Sequence, residues 1–119
     1  MSKGKTKRRD ELTTVAELKS LVEEFVARRD WAQFHSPKNL AMAIGVELMF
    51  LFRWHSESQS VQVMKSGKER NSAAEELADV VICALAFANR TGINRAQAVA
   101  SKVFKNSKKY PSRTYKGRF

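Results

Sequence analysis

The stretch SAAEELADVVICALAFANRTG, residues 72–92, decides the fold. Ser72 and Glu75 have capping-box spacing, in which a serine and an acid three residues on satisfy the first free backbone donors of a helix. Leu77, Val80, Val81, Leu85 and Phe87 then recur at helical intervals to about Asn89. Thr91-Gly92 supplies a stop, because glycine readily takes the left-handed conformation that ends a helix. Between Leu77 and Ala88 the only charged residue is Asp79.

Working outward, the segment before it reads as a second helix. Ser36-Pro37 pairs an N-cap serine with a proline at the first helical position. The helix should reach Trp54 or a little beyond, and from Leu40 to Phe52 its only charge is Glu47. A helix apolar on nearly all sides must lie centrally or be covered by another copy. Further upstream, Thr14-x-x-Glu17 opens a helix from about Val15 to Arg29, with Val15, Leu18, Leu21, Val22, Phe25 and Val26 along one face. Downstream, Asn94 opens a helix through Ala98, Val99, Val103 and Phe104 that Pro111 ends. Residues 55–70 read as a polar connector rich in Ser and Gln. Four helices and no strand pattern predict an all-α, antiparallel four-helix bundle. We divide the chain into a basic tail at residues 1–10, a helical domain at 11–110 and a second basic tail at 111–119.

Length and composition agree with one domain: 119 residues, 43% of them hydrophobic. No apolar run is long enough to span a bilayer, and the basic, polar N-terminus has no apolar segment behind it, unlike a secretory signal. One cysteine, Cys83, excludes an internal disulfide framework and suits a reducing compartment, so the expected location is cytoplasmic. The net charge of +10 is concentrated at the ends: residues 1–9 carry +5 and residues 102–119 carry +7, leaving −2 for residues 10–101. Tails of this kind hold phosphate backbones or keep a protein soluble. The nearly neutral body speaks against nucleic acid as the main partner, though a small basic nucleic-acid-binding helical protein is the alternative class.

Asp79 is the most informative acid, since a carboxylate among apolar residues is costly unless a cation or hydrogen bonds compensate. Glu76 precedes it by three residues on the same side of the helix. Glu47 is equally isolated in the second helix, and face-to-face packing would bring the three acids together. Oxygen-only ligands suit Mg2+, which binds substrate phosphates while keeping several waters. Such an ion neutralises phosphate charge and acidifies a water for attack on phosphorus. The same acids also suit a buried ion-pair network, with Glu76 favoured by the helix dipole. Trp31, Phe34, His35 and Trp54 flank the ends of the second helix, either as core caps or as planar walls around a base. Lys102, Lys105 and Lys109 form a stripe that is either a solvated face or a triphosphate contact. Cys83, four residues after Asp79, reads as a small buried hydrophobe.

Several ordered motifs then converge. Residues 29–35 (RDWAQFH) with Pro37 and Asn39-Leu40, then residues 51–54 (LFRW), residues 75–80 (EELADV) and residues 105–111 (KNSKKYP) with Lys116-Gly117-Arg118, resemble the MazG-like, dCTP-pyrophosphatase-type family over about residues 15–118. That resemblance implies an all-α fold assembling into dimers or tetramers, and Mg2+-dependent hydrolysis of a nucleoside triphosphate, deoxycytidine-type among the candidates, to a monophosphate and pyrophosphate. It implies that Glu76 and Asp79 are the E-x-x-D half of a metal site. It also places Trp31, His35 and Trp54 at the base pocket, and Asn106, Lys109 and Tyr110 near the phosphates beside Lys102 and Lys105.

The E-x-x-E half departs from the family pattern. Between Asn39 and Trp54 the chain is about three residues short of it. Counted from Asn39, Glu47 is the first acid and Phe50 replaces the second; counted from Trp54, Glu47 is the second and Ile44 replaces the first. One carboxylate is missing on either count, so weakened catalysis, or nucleotide binding without it, is the expected consequence. Tyrosine often stands in the family where this chain has Cys83.

Overall fold

Each expected helix start but one is used. In the computed structural model, which describes residues 8–118 apart from the side chains of Glu47, Leu48 and Phe50, helix α1 spans Val15–Arg28. Thr14 and Glu17 cap it reciprocally: the Glu17 amide donates to Thr14 Oγ1 at 3.1 Å and the Thr14 amide donates to Glu17 Oε1 at 2.7 Å. Those bonds hold the Glu17 carboxyl below its ordinary value. Helix α2, Pro37–Phe52, starts at Ser36, whose Oγ accepts from the Asn39 amide at 3.1 Å. A 3-10 turn at Ala32–Phe34 joins the two helices.

Two expectations about helix boundaries need correction. The polar connector contains a helix, α3, over Glu57–Val63. Ser56 and Gln59 form a capping box there, with amides donating in both directions at 2.9 and 3.2 Å. The signal was in the sequence, masked by a shortage of apolar periodicity. Helix α4 begins at Gly67, five residues before the Ser72 start, and runs to Thr91. Its added first turns carry Lys68, Glu69 and Arg70, good helix formers that need no apolar face. The Ser66 hydroxyl helps to hold the Glu69 carboxyl below its ordinary value, as suits an acid at a helix N-terminus. At the far end Gly92 adopts φ 74°, and its amide donates to the Ala88 carbonyl at 2.8 Å. Helix α5, Arg95–Lys109, starts at Asn94, whose Oδ1 accepts from the Gln97 amide at 2.9 Å. A single turn, α6 at Ser112–Tyr115, falls within the segment read as a basic tail. The lysines of the N-terminal run, Lys3, Lys5 and Lys7, lie outside the described residues.

Packing is uneven. Helix α4 is the spine, with α2 lying along it over the longest contact and α1 beside it. The three meet around Val22, Leu40, Leu85 and Ala86, with Leu18, Val26 and Phe87 against that cluster. Among the described residues α5 makes only marginal contact with any other element. Its Val99, Val103 and Phe104 are all at least 60% exposed. One chain therefore packs three of its helices, and the closed four-helix bundle expected from the sequence is not formed within it. No described residue lies in a strand, and no described helix is long and apolar enough to cross a membrane.

The openness can be put in numbers. The accessible surface is 10015 Å², whereas a compact monomer of this mass exposes about 6,500 Å². Seven fully solvated terminal residues would add only about 1,200 Å² of that difference. The radius of gyration is 17.2 Å, against about 13.5 Å for a compact domain of this length.

Leu40, 4% exposed, is the α2 side chain that reaches the shared cluster. Leu40→Ala should cost about 2–5 kcal/mol, because all three packed helices lose a contact at once. Urea denaturation followed by circular dichroism measures the loss; a cost under about 1 kcal/mol would mean that the cluster is not the anchor of the fold.

Candidate functional site

All but one of the partly buried residues of α4 trace one stripe, Glu69, Ala73, Glu76, Val80, Cys83 and Phe87, at intervals of three and four, with Asn89 outside it. Those of α2 trace another, with Leu40, Ala43, Ile44 and Leu51 least exposed. Position 47 falls in the same α2 stripe by register. Leu40 clusters with Leu85, Ala86 and Phe87. A parallel α2 anchored there would leave the end of α4 at Thr91 within a few residues, so the long contact requires antiparallel helices. Seven residues after Leu40 stands Glu47, and seven before Leu85, Ala86 and Phe87 stand Ala78, Asp79 and Val80. Equal helical rise thus sets position 47 at the level of Asp79, and position 50 at the level of residues 75–77.

Two of the three expected metal residues can be described further. Glu76 is half-buried and Asp79 exposed, one helical step apart on α4. The side chain of Glu47 lies outside the described residues. Among the described residues no three His, Cys, Asp or Glu side chains cluster closely enough to hold a metal. Asp79 is not buried among apolar side chains as its sequence setting suggested. Leu77, Val81 and Ile82 beside it are also exposed, so whatever covers this surface is not supplied by the described chain. Cys83 is half-buried, in the α4 stripe.

The expected base-pocket residues separate into two places. Trp31 and His35 flank the 3-10 turn. The Trp31 ring meets Phe25 edge-on at 5.7 Å between centroids, and the Arg29 guanidinium lies 3.8 Å above the Phe25 ring. The His35 carbonyl accepts a hydrogen bond from Arg90 Nε at 3.2 Å, tying the turn to the end of α4. Trp54 stands beyond the other end of α2, roughly 24 Å along the helix from His35, and is 81% exposed with the Arg53 guanidinium 5.4 Å from its ring. Trp31 and His35 stand at the two ends of one turn, and Trp54 is not brought to them.

The expected phosphate contacts lie on α5. Lys102, Lys105 and Lys109 are exposed, and Asn106 is half-buried. Tyr110 meets Tyr115 edge-on at 5.3 Å, with Lys109 Nζ 5.3 Å from its ring. With α5 standing apart, these side chains are not assembled against the acids of α4.

Sequence reasoning missed a pocket of about 310 Å³ between α1, the 3-10 turn and the end of α4. His35 lines it together with Glu23, Asn89 and Arg90, over walls formed by Val22, Val26, Ala27, Ala32 and Ala86. The available signal was the pair Asn89-Arg90, the first strongly polar residues after the apolar run of α4.

Comparison with known proteins bears on this arrangement. A model of the MazG-like family matches residues 43–118, which include Glu47, Glu76, Asp79 and the whole of α5. The chain is 39% identical over 107 residues to dCTP pyrophosphatase 1 of Mus musculus, covering 87% of this chain and 63% of that protein. It is 38% identical over 102 residues to dCTP pyrophosphatase 1 of Homo sapiens, covering 83% and 60%. The chain thus spans less than two thirds of the length of these relatives. Among solved structures, a pyrophosphatase from Archaeoglobus fulgidus superposes with a TM-score of 0.73 at 33% identity, over 87% of this chain and 95% of that one.

The hydrogen bond from Arg90 to the His35 carbonyl is the one described link between the turn's backbone and α4. Arg90→Ala should lower stability by about 1 kcal/mol and speed amide hydrogen exchange around residues 32–35. Unchanged exchange there would show that the α1 and α2 helices alone fix the turn.

Proposed function

The chain belongs to the MazG-like family, and on that premise we propose that it is a Mg2+-dependent nucleoside triphosphate pyrophosphohydrolase, releasing pyrophosphate and a nucleoside monophosphate. The observation that carries this reading is the register of α2 on α4, which sets position 47 level with Asp79, one step from Glu76. Carboxylates from these three positions would form an oxygen-only donor set, which fits a hard divalent cation. Glu47, Glu76 and Asp79 would hold the ion. Once bound, it supplies charge neutralisation at the phosphate oxygens and a more acidic water.

The chain's own groups complete the reading. Trp31 and His35 border the base end, and Trp54 offers an exposed aromatic face. Lys102, Lys105, Asn106, Lys109 and Tyr110 supply donors for a triphosphate. In one chain these groups are far apart, so the reading includes a homodimer or homotetramer in which a second copy closes the site. The excess exposed surface, roughly 2,000 Å² beyond that of a compact monomer and its terminal residues, exceeds the ~800 Å² that each partner buries in a standard interface. Exposed Met42, Val46 and Met49 on α2 and the apolar flank of α5 are the surfaces it would cover. Sedimentation equilibrium at micromolar protein should show a dimer or larger species, and a monomer would defeat this part of the reading. The solitary Cys83 accords with a reducing, cytoplasmic setting.

Phe50 favours a second reading: a family member that binds nucleotides but turns them over slowly. Position 50 is level with Glu76, where the missing carboxylate of the E-x-x-E half would complete a four-acid set. A panel of nucleoside triphosphates, with pyrophosphate release measured at millimolar Mg2+, tests both. Activity that falls at least 100-fold in Asp79→Asn, roughly 2.7 kcal/mol of barrier, supports the enzyme. Inserting Ala-Ala-Glu after Glu47 should raise the rate if the short helix is a lesion. No turnover by a protein of intact helicity rejects the active-enzyme reading.

A further inference from the structure

Asp79 is the last acidic residue in the sequence, and from Lys102 to Arg118 the chain carries seven cations. All seven are exposed. Among the described residues none of them is in an ion pair. Like charges held this close repel one another, so a run without acids is stabilised by a polyanion that binds it. The nucleotide reading above uses Lys102, Lys105 and Lys109. Lys108, Arg113, Lys116 and Arg118 remain, in excess of what the phosphates of one nucleotide need once a Mg2+ shares their charge.

The fold gathers these charges. On α5 the four lysines lie along one side and Val99 and Val103 along the other. Phe104 stands at the border, with Lys108 Nζ 4.7 Å from its ring. A second copy covering the apolar flank would leave the cations in water. At the helix end the edge-on contact of Tyr110 with Tyr115, 5.3 Å between centroids, folds the α6 turn back on α5. Arg118 Nε then donates to the Thr114 carbonyl at 3.1 Å. Arg113, Lys116 and Arg118 thereby join Lys108 on one folded knob. Both tyrosines keep part of their rings in solvent, 48% and 39% exposed.

We propose that the end of α5 and the α6 turn form a docking surface for single-stranded nucleic acid, held through its phosphate backbone. Lysine and arginine neutralise phosphates without reading sequence, and the counterions released favour binding. The exposed faces of Tyr110 and Tyr115 give unpaired bases a surface to stack on, which the paired bases of a duplex cannot reach. A lipid surface fits less well. Residues 105–118 contain no Val, Leu, Ile, Met, Phe or Trp, so the knob has little to sink among acyl chains. The surface stands on its own cations and not on the acids of α4, so it and the nucleotide reading fail separately.

Fluorescence anisotropy of the full chain with a labelled oligothymidine of about 20 nucleotides, longer than a typical single-strand site, is the test. Log affinity should fall with log salt at a slope of about −3 or steeper, since each of four contacts contributes about 0.7. Lys108→Gln, Arg113→Gln, Lys116→Gln and Arg118→Gln together should weaken binding at least about tenfold at low salt and flatten the slope by about 2 to 3. Lys3→Gln, Lys5→Gln, Lys7→Gln and Arg8→Gln, which remove the same charge from the other end, should cost less than about threefold. Equal losses in the two variants would make net charge the cause and overturn the surface. So would absence of binding, a shallower wild-type slope, tighter binding of a duplex of equal length, or binding of phosphatidylserine vesicles in preference to the oligonucleotide. Displacement of the oligonucleotide by a nucleoside triphosphate at matched ionic strength would return the four cations to the nucleotide site and overturn it as well.

Discussion

The contact of α2 along α4 is the constraint on which the other features depend. Helix α2 carries a single charge between Leu40 and Phe52, so its surface is apolar nearly all round. One neighbour can cover only one stripe of such a helix. Helix α4 covers the stripe through Leu40, Ala43, Ile44 and Leu51 and leaves Met42 and Met49 about 60% exposed. That single contact fixes three things. It sets the axial register of the acids, anchors the core at Val22, Leu40, Leu85 and Ala86, and leaves an apolar remainder that the described residues do not cover. Exposed apolar surface on this scale marks an interaction site in a folded protein.

Local signals were the legible part of the fold. Thr14 with Glu17, Ser36 with Pro37, Asn94, and Gly92 each mark a helix end through bonds made within a few residues, and each is used as expected. The errors have the same local origin. Ser56 with Gln59 caps a helix too short and too polar to show a periodic face. Ser72 with Glu75 has the right spacing but sits inside α4, since nothing in Gly67 to Asn71 interrupts the backbone ladder. Capping spacing shows where a helix can start; only the residues before it decide whether it does. The position of α5 was not legible at all. Its amphipathic pattern predicted a partner face, and that face is not supplied by the helices of the same chain.

The candidate site divides along the same line. Glu76 and Asp79 are legible because three residues on a helix are neighbours in space whatever the rest of the chain does. The level of Glu47 could be expected only from face-to-face packing, and it follows once Leu40 is found against Leu85 and Phe87. Trp54 and the α5 lysines were grouped with distant residues through their places along the chain and then through family resemblance, and one chain keeps them apart. Asn89 and Arg90 escaped notice because a polar pair at a helix end looks like ordinary solvated termination. Their part in a pocket arises only when the 3-10 turn folds back and His35 accepts from Arg90.

The segment of α2 read from the sequence as about three residues short of the family pattern is best understood through this register. Helix α2 runs unbroken from Pro37 to Phe52, so a gap of the length read from the sequence would leave the backbone ladder whole. Three residues turn an α-helix by about 300° and advance it by about 4.5 Å. The faces beyond the gap are therefore displaced by only about 60°, and an apolar residue still meets α4. A helix apolar all round tolerates such a rotation, because the side chains that turn inward are as apolar as those that turn away. Carboxylates have no such tolerance: a metal ligand moved by 60° and 4.5 Å is no longer at the metal. Packing against α4 would thus survive a change that removed one acid of a ligand pair. The property that obliges α2 to seek cover would also let a helix of this kind lose a ligand and keep its fold.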